Sequence, residues 1–261
     1  MRIITLTTDF GTRDWFAGAM KAVILGLHPG ANVVDITHEI PPGDIRAGAF
    51  ALMAGCRYFP KGTVHVAVVD PGVGSPRPAI AVQTARGFFV GPDNGVLSWA
   101  LAHEKIKRIR LLENPQYFLQ PVSRTFQGRD VFAPVAAHLS RGLFPPRLGR
   151  ELKDFVRVPW PQTTKQGGKA QGEIVYIDRF GNAITNIETE LVFGEGPGGC
   201  EIIIKRKVRC PLAEFYDAVP VNRPVAVLGS CGLLEIALNR GSAARRFGLE
   251  PGDKVTVCQK S

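Results

Sequence analysis

Two side chains of opposite charge follow a predicted buried strand. Residues Thr63–Val69 (TVHVAVV) alternate valine with smaller or polar residues, which indicates a strand inside a sheet. Asp70 ends the strand, and a proline and two glycines then require a tight loop that leads to Arg77. In an open α/β sheet, ligands bind just beyond the carboxyl ends of the strands. A carboxylate and a guanidinium on so short a loop can reach one small ligand together; a plain salt bridge across the turn is the alternative.

A second acid stands at the corresponding place on the first strand. Residues Arg2–Thr8 alternate as a strand and lead into Asp9, which a glycine follows closely. Because the carboxyl ends of parallel strands meet at one edge of a sheet, Asp9 and Asp70 are expected to lie together. These two acids therefore rank above the others as candidates for chemistry.

The last third of the chain carries a second polar set. Asp178 and Asn182 flank a glycine turn, and a GSCG segment containing Ser230 precedes Glu235 and Asn239. An acid can accept both hydroxyls of a ribose, and an asparagine amide can face an adenine edge as donor and acceptor. An ordinary hairpin turn is the alternative interpretation of Asp178 and Asn182.

The sequence lacks the motifs of several common kinds of active site. The chain contains no G-x-S-x-G elbow, P-loop, H-E-x-x-H pair or dinucleotide fingerprint. Its five cysteines are scattered and its five histidines are not spaced as metal ligands, so we predict neither a disulfide framework nor a metal site. His65 is interpreted as a hydrogen-bonded core residue, and His38, near a strand end, is the one histidine with a candidate role.

The first half of the chain alternates strands and helices. Strand, helix, strand, helix and strand follow one another up to Val69, with Asp14 and Asp44 as predicted helix caps. This order predicts a Rossmann-like α/β domain with a mainly parallel sheet. Further strands are predicted over 79–82, 87–90 and 108–112, and further helices over 96–103 and 131–141.

The second half of the chain differs in composition and in its pattern of predicted elements. Residues 161–172 are polar, rich in glycine and proline, and without periodicity, as is typical of a linker. We therefore predict an N-terminal domain over 1–160 and a C-terminal domain over 173–261. Short strands predict a small antiparallel β-barrel or sandwich there. They are expected at 173–177, 183–187, 201–208, 225–228, 233–238 and 254–258.

Composition limits the class of protein. The chain has 261 residues, of which 45% are hydrophobic, and a formal net charge of +9. Its basic residues are dispersed without interleaved aromatics, which favours a solvated surface over a nucleic-acid groove. No apolar run approaches the roughly 20 residues that span a bilayer, and the N-terminus lacks a signal-peptide layout. We expect a soluble cytoplasmic protein with neither a nucleic-acid nor a membrane partner.

Six segments in order carry a resemblance to a known family. The chain resembles the S-adenosyl-L-methionine hydroxide adenosyltransferases, which are related to the bacterial fluorinase and chlorinase, and the resemblance covers nearly its whole length. The segments are TTDFGTRD at 7–14, VVDPGVGSPR at 68–77, GPDNG at 91–95, TFQGRDVFAPVAAHL at 125–139, DRFGN at 178–182 and GSCGLLEIALNRGSAA at 229–244.

This resemblance implies hydrolysis of S-adenosyl-L-methionine to adenosine and L-methionine. It implies a homotrimer whose ligand lies between the N-terminal domain of one subunit and the C-terminal domain of the next. S-adenosyl-L-methionine is then the substrate, and no cofactor is implied. The family pattern places Asp9 on the ribose hydroxyls, and Asp70 and Arg77 on the attacking water. It places the remaining ligand contacts at Asn182, Ser230 and Glu235, with Asp178 and Asn239 as additions.

One position departs from the family pattern. The family commonly has TFHGRD, with a histidine that completes an aspartate–arginine–histidine set, whereas this chain has Gln127. Glutamine can orient a water but cannot take up a proton near neutral pH. Gln127 is therefore a catalytic candidate with an altered role. A halide-dependent adenosyltransferase and a non-catalytic adenosine-binding module are the alternative functions.

Overall fold

The chain folds as two compact units, each with its own sheet and apolar core. A computed structural model describes residues 3–192, 199–205 and 207–259. The units comprise Met1–Pro159 and Trp160–Ser261. Within the described residues, no helix is long and apolar enough to cross a membrane.

The first unit contains a seven-stranded mixed sheet. The strand order is β2-β1-β3-β5-β4-β6-β7, in which β2, β1, β3 and β5 are parallel and the other three strands are antiparallel to their neighbours. The strands are β1 (Ile3–Thr8), β2 (Asn32–Thr37), β3 (Val64–Val68), β4 (Ala79–Thr84), β5 (Phe88–Pro92), β6 (Ile106–Leu111) and β7 (Glu151–Leu152). The helices are α1 (Phe16–Leu27), α2 (Ile45–Cys56), α3 (Ser98–Leu101) and α4 (Ala133–Ser140).

The predicted α/β class is confirmed, although the antiparallel share of the sheet exceeds the prediction. Only residues 85–87 join β4 to β5, which is far too few for the crossover that parallel neighbours need. Within this sheet β3 is buried along its whole length, as its run of valines predicted. The predicted first strand also forms, and its Arg2 lies outside the described residues.

The predicted helix boundaries hold in part. Asp44 caps α2, since its Oδ1 accepts a hydrogen bond from Ala47 N at 2.9 Å. The cap predicted at Asp14 is wrong, because α1 begins after Trp15 without a side-chain cap. The predicted third helix shrinks to the four residues of α3.

The helix predicted over 131–141 begins differently. A π-helical turn, Gly128–Phe132, precedes α4. Pro134 has no N–H to donate to the preceding turn. The carbonyl of Asp130 accepts instead from Leu119 N at 2.8 Å. A π-helical turn therefore separates Gln127 from α4.

The second unit is an antiparallel sheet that nearly closes on itself. The order is β12-β11-β15-β9-β10-β14-β13, with β8 paired to β9. Ala213, just after edge strand β12, donates from its N to Ala226 O in the other edge strand, β13, at 2.8 Å, which confirms the barrel-like prediction. The strands are β8 (Thr164–Gln166), β9 (Lys169–Ile177), β10 (Ala183–Glu188), β11 (Cys200–Ile204), β12 (Val208–Pro211), β13 (Pro224–Leu228), β14 (Leu233–Leu238) and β15 (Lys254–Gln259). Two short helices, α5 (Thr189–Val192) and α6 (Ala243–Phe247), complete it.

Two predictions in this unit are corrected. The segment interpreted as a structureless linker, 161–172, contains the hairpin of β8 and β9. Its Gly167 and Gly168 have φ angles of 55° and 70°, which suits the tight turn between two strands. The strand predicted over 201–208 is a hairpin of β11 and β12, because Lys205 takes a left-handed φ of 49°. Arg206 lies outside the described residues.

His65 is a hydrogen-bonded core residue, as predicted. Its Nδ1 lies 2.8 Å from the Thr5 hydroxyl, and its ring centroid lies 4.9 Å from that of Phe89. Burial, assisted by the charge of Arg86, lowers the pKa of His65 from 6.5 to about 4. The folded protein therefore keeps this ring neutral in mild acid.

We predict that His65 makes the protein acid-sensitive. Between pH 6.5 and about 4 the unfolded chain binds a proton that the folded chain does not, so the free energy of unfolding falls as the pH is lowered. The full shift corresponds to about 3 kcal/mol. Urea denaturation of the wild type and of His65→Gln at pH 7 and pH 5 measures this. Equal losses on acidification in both proteins would contradict the prediction.

Candidate active site

A cavity of about 290 Å³ lies in the first unit at the carboxyl ends of β1 and β3. Asp9 and Asp70 both line it, because these strands are parallel neighbours whose ends meet at one edge. The segment 125–128 supplies another part of its wall. The lining residues are Asp9, Phe10, Phe16, Val68, Asp70, Val73, Thr125, Phe126, Gln127 and Gly128.

The loop after β3 is held tightly against two other segments of the same unit. Asn94 Nδ2 donates to Val69 O at 2.8 Å, which fixes the residue directly before Asp70. Gly74 has a φ of +78°, and a side chain there would lie 2.4 Å from the carbonyl oxygen of Arg124. The loop can therefore approach the 125–128 segment only because glycine stands at this position.

Asp70, Arg77 and Gln127 form one hydrogen-bonded chain. Arg77 Nε donates to Asp70 Oδ1 at 2.9 Å, and Arg77 Nη2 donates both to Asp70 Oδ2 and to Gln127 Oε1. The side chains of Arg77 and Asp70 are only 11% and 4% exposed. The salt bridge considered as the alternative is thus present, but its carboxylate and the attached glutamine face a cavity. Arg77 is not itself among the lining side chains.

This chain of contacts defines the orientation of Gln127. Its amide oxygen accepts from Arg77, so its amide nitrogen is the end left to donate. Glutamine at this position therefore offers hydrogen-bond donors beside the Asp70 carboxylate.

The segment around Gln127 is anchored by a buried acid to which the sequence assigned no role. Asp130 is fully buried, and its Oδ2 accepts from Ser123 N at 2.8 Å. Arg129 Nε also donates to Asp130 Oδ1, at 2.6 Å. The bond from Ser123 holds the two ends of the 123–130 turn together. The signal was present in the GRD triplet, but only the fold shows that the acid faces inward.

Asp9 is held as a hydrogen-bond acceptor. Its Oδ2 accepts from Gly43 N at 2.8 Å. Burial, and to a smaller extent the nearby Asp70, raise the pKa of Asp9 above its usual 3.8. The preceding Thr8 lies 2.8 Å from Nδ1 of the buried His38. His38, the histidine singled out from the sequence, therefore supports the β1 terminus and is not among the side chains that line the cavity.

Aromatic rings form the apolar wall of the cavity. Phe16 and Phe126 meet edge to face with their centroids 5.2 Å apart, and Phe10 lies 5.8 Å from each. Trp15 stacks on Phe16 at 4.6 Å while remaining 60% exposed. A ligand in this cavity would thus meet carboxylates, an amide and aromatic rings.

In the second unit, Asp178 and Asn182 form the hairpin turn between β9 and β10. Asn182 N and Nδ2 donate to the two carboxylate oxygens of Asp178 at 2.8 and 3.0 Å. Gly181, with a φ of +84°, leaves no room for a side chain beside Ser242. The hairpin interpretation of these residues therefore holds, and the ligand role assigned to them stays a prediction.

Glu235 lies beside this turn and is almost fully buried. Its Oε1 accepts from the hydroxyl of Tyr216 at 2.7 Å. Burial, and next the charge of Asp178, raise the pKa of Glu235, whereas hydrogen bonds from Tyr216 and Asn182 lower it. Tyr216 was missed in the sequence because nothing in its neighbourhood marks it as different from a surface aromatic.

The remaining two predicted residues differ in position. Ser230 lies exposed in the turn 229–232 that joins β13 to β14. A side chain at Gly229 would lie 2.8 Å from Glu235 Oε2, so this turn borders Glu235. Asn239 Nδ2 donates to Asp217 Oδ1 at 3.0 Å and to Val219 O at 2.6 Å. Its amide nitrogen therefore holds a loop of its own unit.

Within residues 3–192, 199–205 and 207–259, we find no group of three or more histidine, cysteine, aspartate or glutamate side chains that could hold a metal ion.

The fold and these polar clusters define a class. This is a protein with an α/β unit and an antiparallel barrel-like unit, in which carboxylates and amides gather at strand ends as in small-ligand sites. Two family descriptions match it, the SAM hydroxide adenosyltransferase N-terminal domain over residues 4–149 and the corresponding C-terminal domain over 172–256. The chain belongs to the SAM hydroxide adenosyltransferase family.

Similarity to known proteins extends over nearly the whole chain. An (R)-S-adenosyl-L-methionine hydrolase of Thermus thermophilus is 42% identical over 264 residues, covering 98% of this chain and all of the relative. A fluorinase of Actinoplanes sp. is more distant, at 28% identity with coverage of 98% and 97%. The crystal structure of an uncharacterized conserved protein from Thermotoga maritima superposes with a TM-score of 0.91 at 34% identity, covering 99% of this chain and 100% of the other.

We predict that the close approach of Gly74 to Arg124 is necessary for stability. Gly74→Ala combines an unfavourable left-handed φ with a clash against a carbonyl oxygen, and we expect it to cost about 2 kcal/mol or more in the free energy of unfolding. Gly62→Ala is the matched control, since Gly62 has a φ of +89° but open space around it. Urea denaturation that gives equal losses for both variants would show that the contact with Arg124 does not matter.

Proposed function

We propose that this protein hydrolyses S-adenosyl-L-methionine to adenosine and L-methionine. The observation that carries the proposal is the Asp70–Arg77–Gln127 chain at the cavity that Asp9 also lines. Membership of the family supports the same substrate, and so does the name of the 42%-identical relative, an (R)-S-adenosyl-L-methionine hydrolase.

The reaction follows from the charge of the substrate. Water attacks the ribose C5′, a C5′–O bond forms, and the C5′–S bond breaks with its electron pair going to sulfur. The sulfonium becomes the neutral thioether of methionine, and one proton passes from the attacking water to solvent. Because positive and partial negative charge cancel in the transition state, a site shielded from water favours it.

Each of the four site residues in the first unit then has a distinct role. Asp70 and Gln127 face the cavity, so they are the catalytic residues that orient the attacking water, as acceptor and donor respectively. Arg77 touches both and acts through them, and its positive charge favours hydroxide character on the water. Asp9, held by Gly43 N, accepts the ribose hydroxyls.

The proposal extends to the second unit and to the assembly. Asp178, Asn182, Ser230, Glu235 and Asn239 are proposed to bind the substrate. We further propose a cytoplasmic homotrimer in which the two polar sets of one site come from neighbouring subunits. The reaction requires neither a metal nor a cofactor, since the sulfonium is itself the activated leaving group.

We predict that the purified protein converts S-adenosyl-L-methionine to adenosine. Because the relative's name specifies the (R) form, both sulfonium epimers are tested separately. Chromatography of the product, with and without added chloride or fluoride, follows adenosine and any 5′-halogenated adenosine. Adenosine formed without halide supports the proposal. No adenosine from either epimer at stoichiometric enzyme would end it.

The same experiment separates the alternatives. A halogenated product would indicate the halide-dependent reaction of the more distant fluorinase. Asp9 and Asp70 together outnumber the single cation Arg77, and this net negative charge disfavours that reaction because it repels an attacking halide. Calorimetric binding of S-adenosyl-L-methionine without turnover would instead indicate a binding module.

We predict that Gln127 makes the rate insensitive to titration near neutrality. An amide has no pKa in this range, whereas the imidazole in Gln127→His has an ordinary value near 6.5. The variant is expected to gain a limb at about pH 6–7 in kcat that the wild type lacks. Profiles of kcat against pH from 5 to 9 provide the measurement. Identical profiles would place residue 127 away from the attacking water.

A further inference from the structure

A tyrosine outside all the predicted site residues contacts the most deeply buried acid among the described residues of the second unit. Tyr216 lies in a 3₁₀ turn between β12 and β13, and its hydroxyl donates to Glu235 Oε1 at 2.7 Å. Glu235 is 6% exposed, whereas Tyr216 is 45% exposed. A hydrogen bond to a buried carboxylate is stronger than one between neutral groups and has a defined direction.

The loop that carries Tyr216 is fixed from the opposite side. Asn239, at the end of β14, donates from Nδ2 to Asp217 Oδ1 and to Val219 O. Both acceptors lie within three residues of Tyr216, so the amide holds the backbone that places the phenol. Asn239 and Glu235 both belong to the β14 segment, which thus determines both partners of the Tyr216–Glu235 bond.

The second oxygen of Glu235 lies beside a turn with no room for a side chain. A methyl group at Gly229 would lie 2.8 Å from Glu235 Oε2. Ser230 follows directly in this turn and is exposed. With Oε1 occupied by the phenol, Oε2 is the oxygen on the side of the Gly229–Ser230 turn.

The surroundings of Glu235 disfavour its ionised form, so the hydrogen bond from Tyr216 matters for its protonation state. Asp178 faces Glu235 from the β9–β10 turn, and Cys231 faces Tyr216 from the β13–β14 turn. Burial and Asp178 raise the pKa of Glu235, and the Tyr216 hydroxyl lowers it, as does the Asn182 amide to a smaller extent. The hydroxyl therefore favours the ionised form of a carboxylate whose environment favours the neutral one.

We propose that Tyr216 is a positioning residue, whose hydroxyl holds Glu235 so that Oε2 is presented to a hydrogen-bond donor of a nucleoside substrate. Asn239 acts in the same unit as the anchor of the Tyr216 loop. This inference rests on the proposed function, because it takes an adenosine-containing molecule as the ligand of Glu235.

The test is Tyr216→Phe, which retains the ring and removes only the hydroxyl. Adenosine binding is measured by calorimetry, and KM and kcat are measured with S-adenosyl-L-methionine. We expect the Kd for adenosine and the KM to rise about tenfold, while kcat changes less than twofold. The acid limb of the Kd–pH profile moves to higher pH, since Glu235 loses a donor that favours its ionised form. An unchanged Kd and an unmoved acid limb would overturn the proposal.

Two controls separate positioning from general damage. Tyr58→Phe removes an exposed phenol of the first unit that accepts a hydrogen bond from Arg57, and it should leave the Kd unchanged. In the Glu235→Gln background, Tyr216→Phe should add less than a twofold further change. A full additional tenfold loss there would show that the hydroxyl does not act through Glu235 and would contradict the inference.

Adenosine binding also keeps this inference distinct from the proposed reaction. If the wild type binds adenosine without cleaving S-adenosyl-L-methionine, the hydrolase proposal fails while the Kd and its acid limb still decide the role of Tyr216. If the wild type forms adenosine from S-adenosyl-L-methionine but Tyr216→Phe changes neither the Kd nor the KM, the inference about Tyr216 fails while the hydrolase proposal stands.

Discussion

The pairing of Asp70 with Arg77 is the constraint on which the rest of the first unit depends. Both side chains are largely withdrawn from water, and a buried charge that loses its partner costs about 3–5 kcal/mol. The loop after β3 must therefore bring Arg77 back onto the acid that ends the strand. Gly74 makes this return possible, and Asn94 fixes the backbone before Asp70. The cavity is the space beside this pair.

The second unit meets a similar constraint by other means. Glu235 and Asp178 are neighbouring acids, and the hydrogen bonds that satisfy them come from a phenol and an amide. Neutral donors satisfy the lone pairs but do not cancel the charge. Such a cluster retains its attraction for donors on a ligand, at the expense of a raised pKa for Glu235. The first unit compensates its acid with a cation, whereas the second compensates its acids with dipoles.

The strands were the part of the fold that the sequence predicted best. β3 and β14 follow directly from alternating or continuous apolar residues, and the parallel arrangement of β1 and β3 placed Asp9 beside Asp70. The failures occurred where one local signal fits two structures. Gly167 and Gly168 serve a linker or a tight hairpin turn equally well, and only the pairing of β8 with β9 decides between them.

Side-chain partners that come from distant parts of the chain were beyond prediction. Asn239 has the composition of a ligand contact, but its amide nitrogen holds a loop some twenty residues earlier in the chain. Tyr216 became visible only through its contact with Glu235. Gln127 was found as a departure from a family pattern, and its bond to Arg77 gives the orientation of its amide. Sequence reasoning locates the elements, whereas the fold decides which polar atoms remain for a ligand.

The charge balance of the cavity explains how glutamine can stand at position 127. Asp9 and Asp70 carry two negative charges when ionised, and Arg77 carries one positive charge, so the set is left with one negative charge. A sulfonium ligand brings one positive charge, which balances the net charge of this first-unit set. A protonated imidazole at residue 127 would compete with the sulfonium for the same carboxylates, whereas a neutral amide does not. Under the proposed function, Gln127 therefore gives up a titrating group and retains the electrostatic match between the site and its substrate.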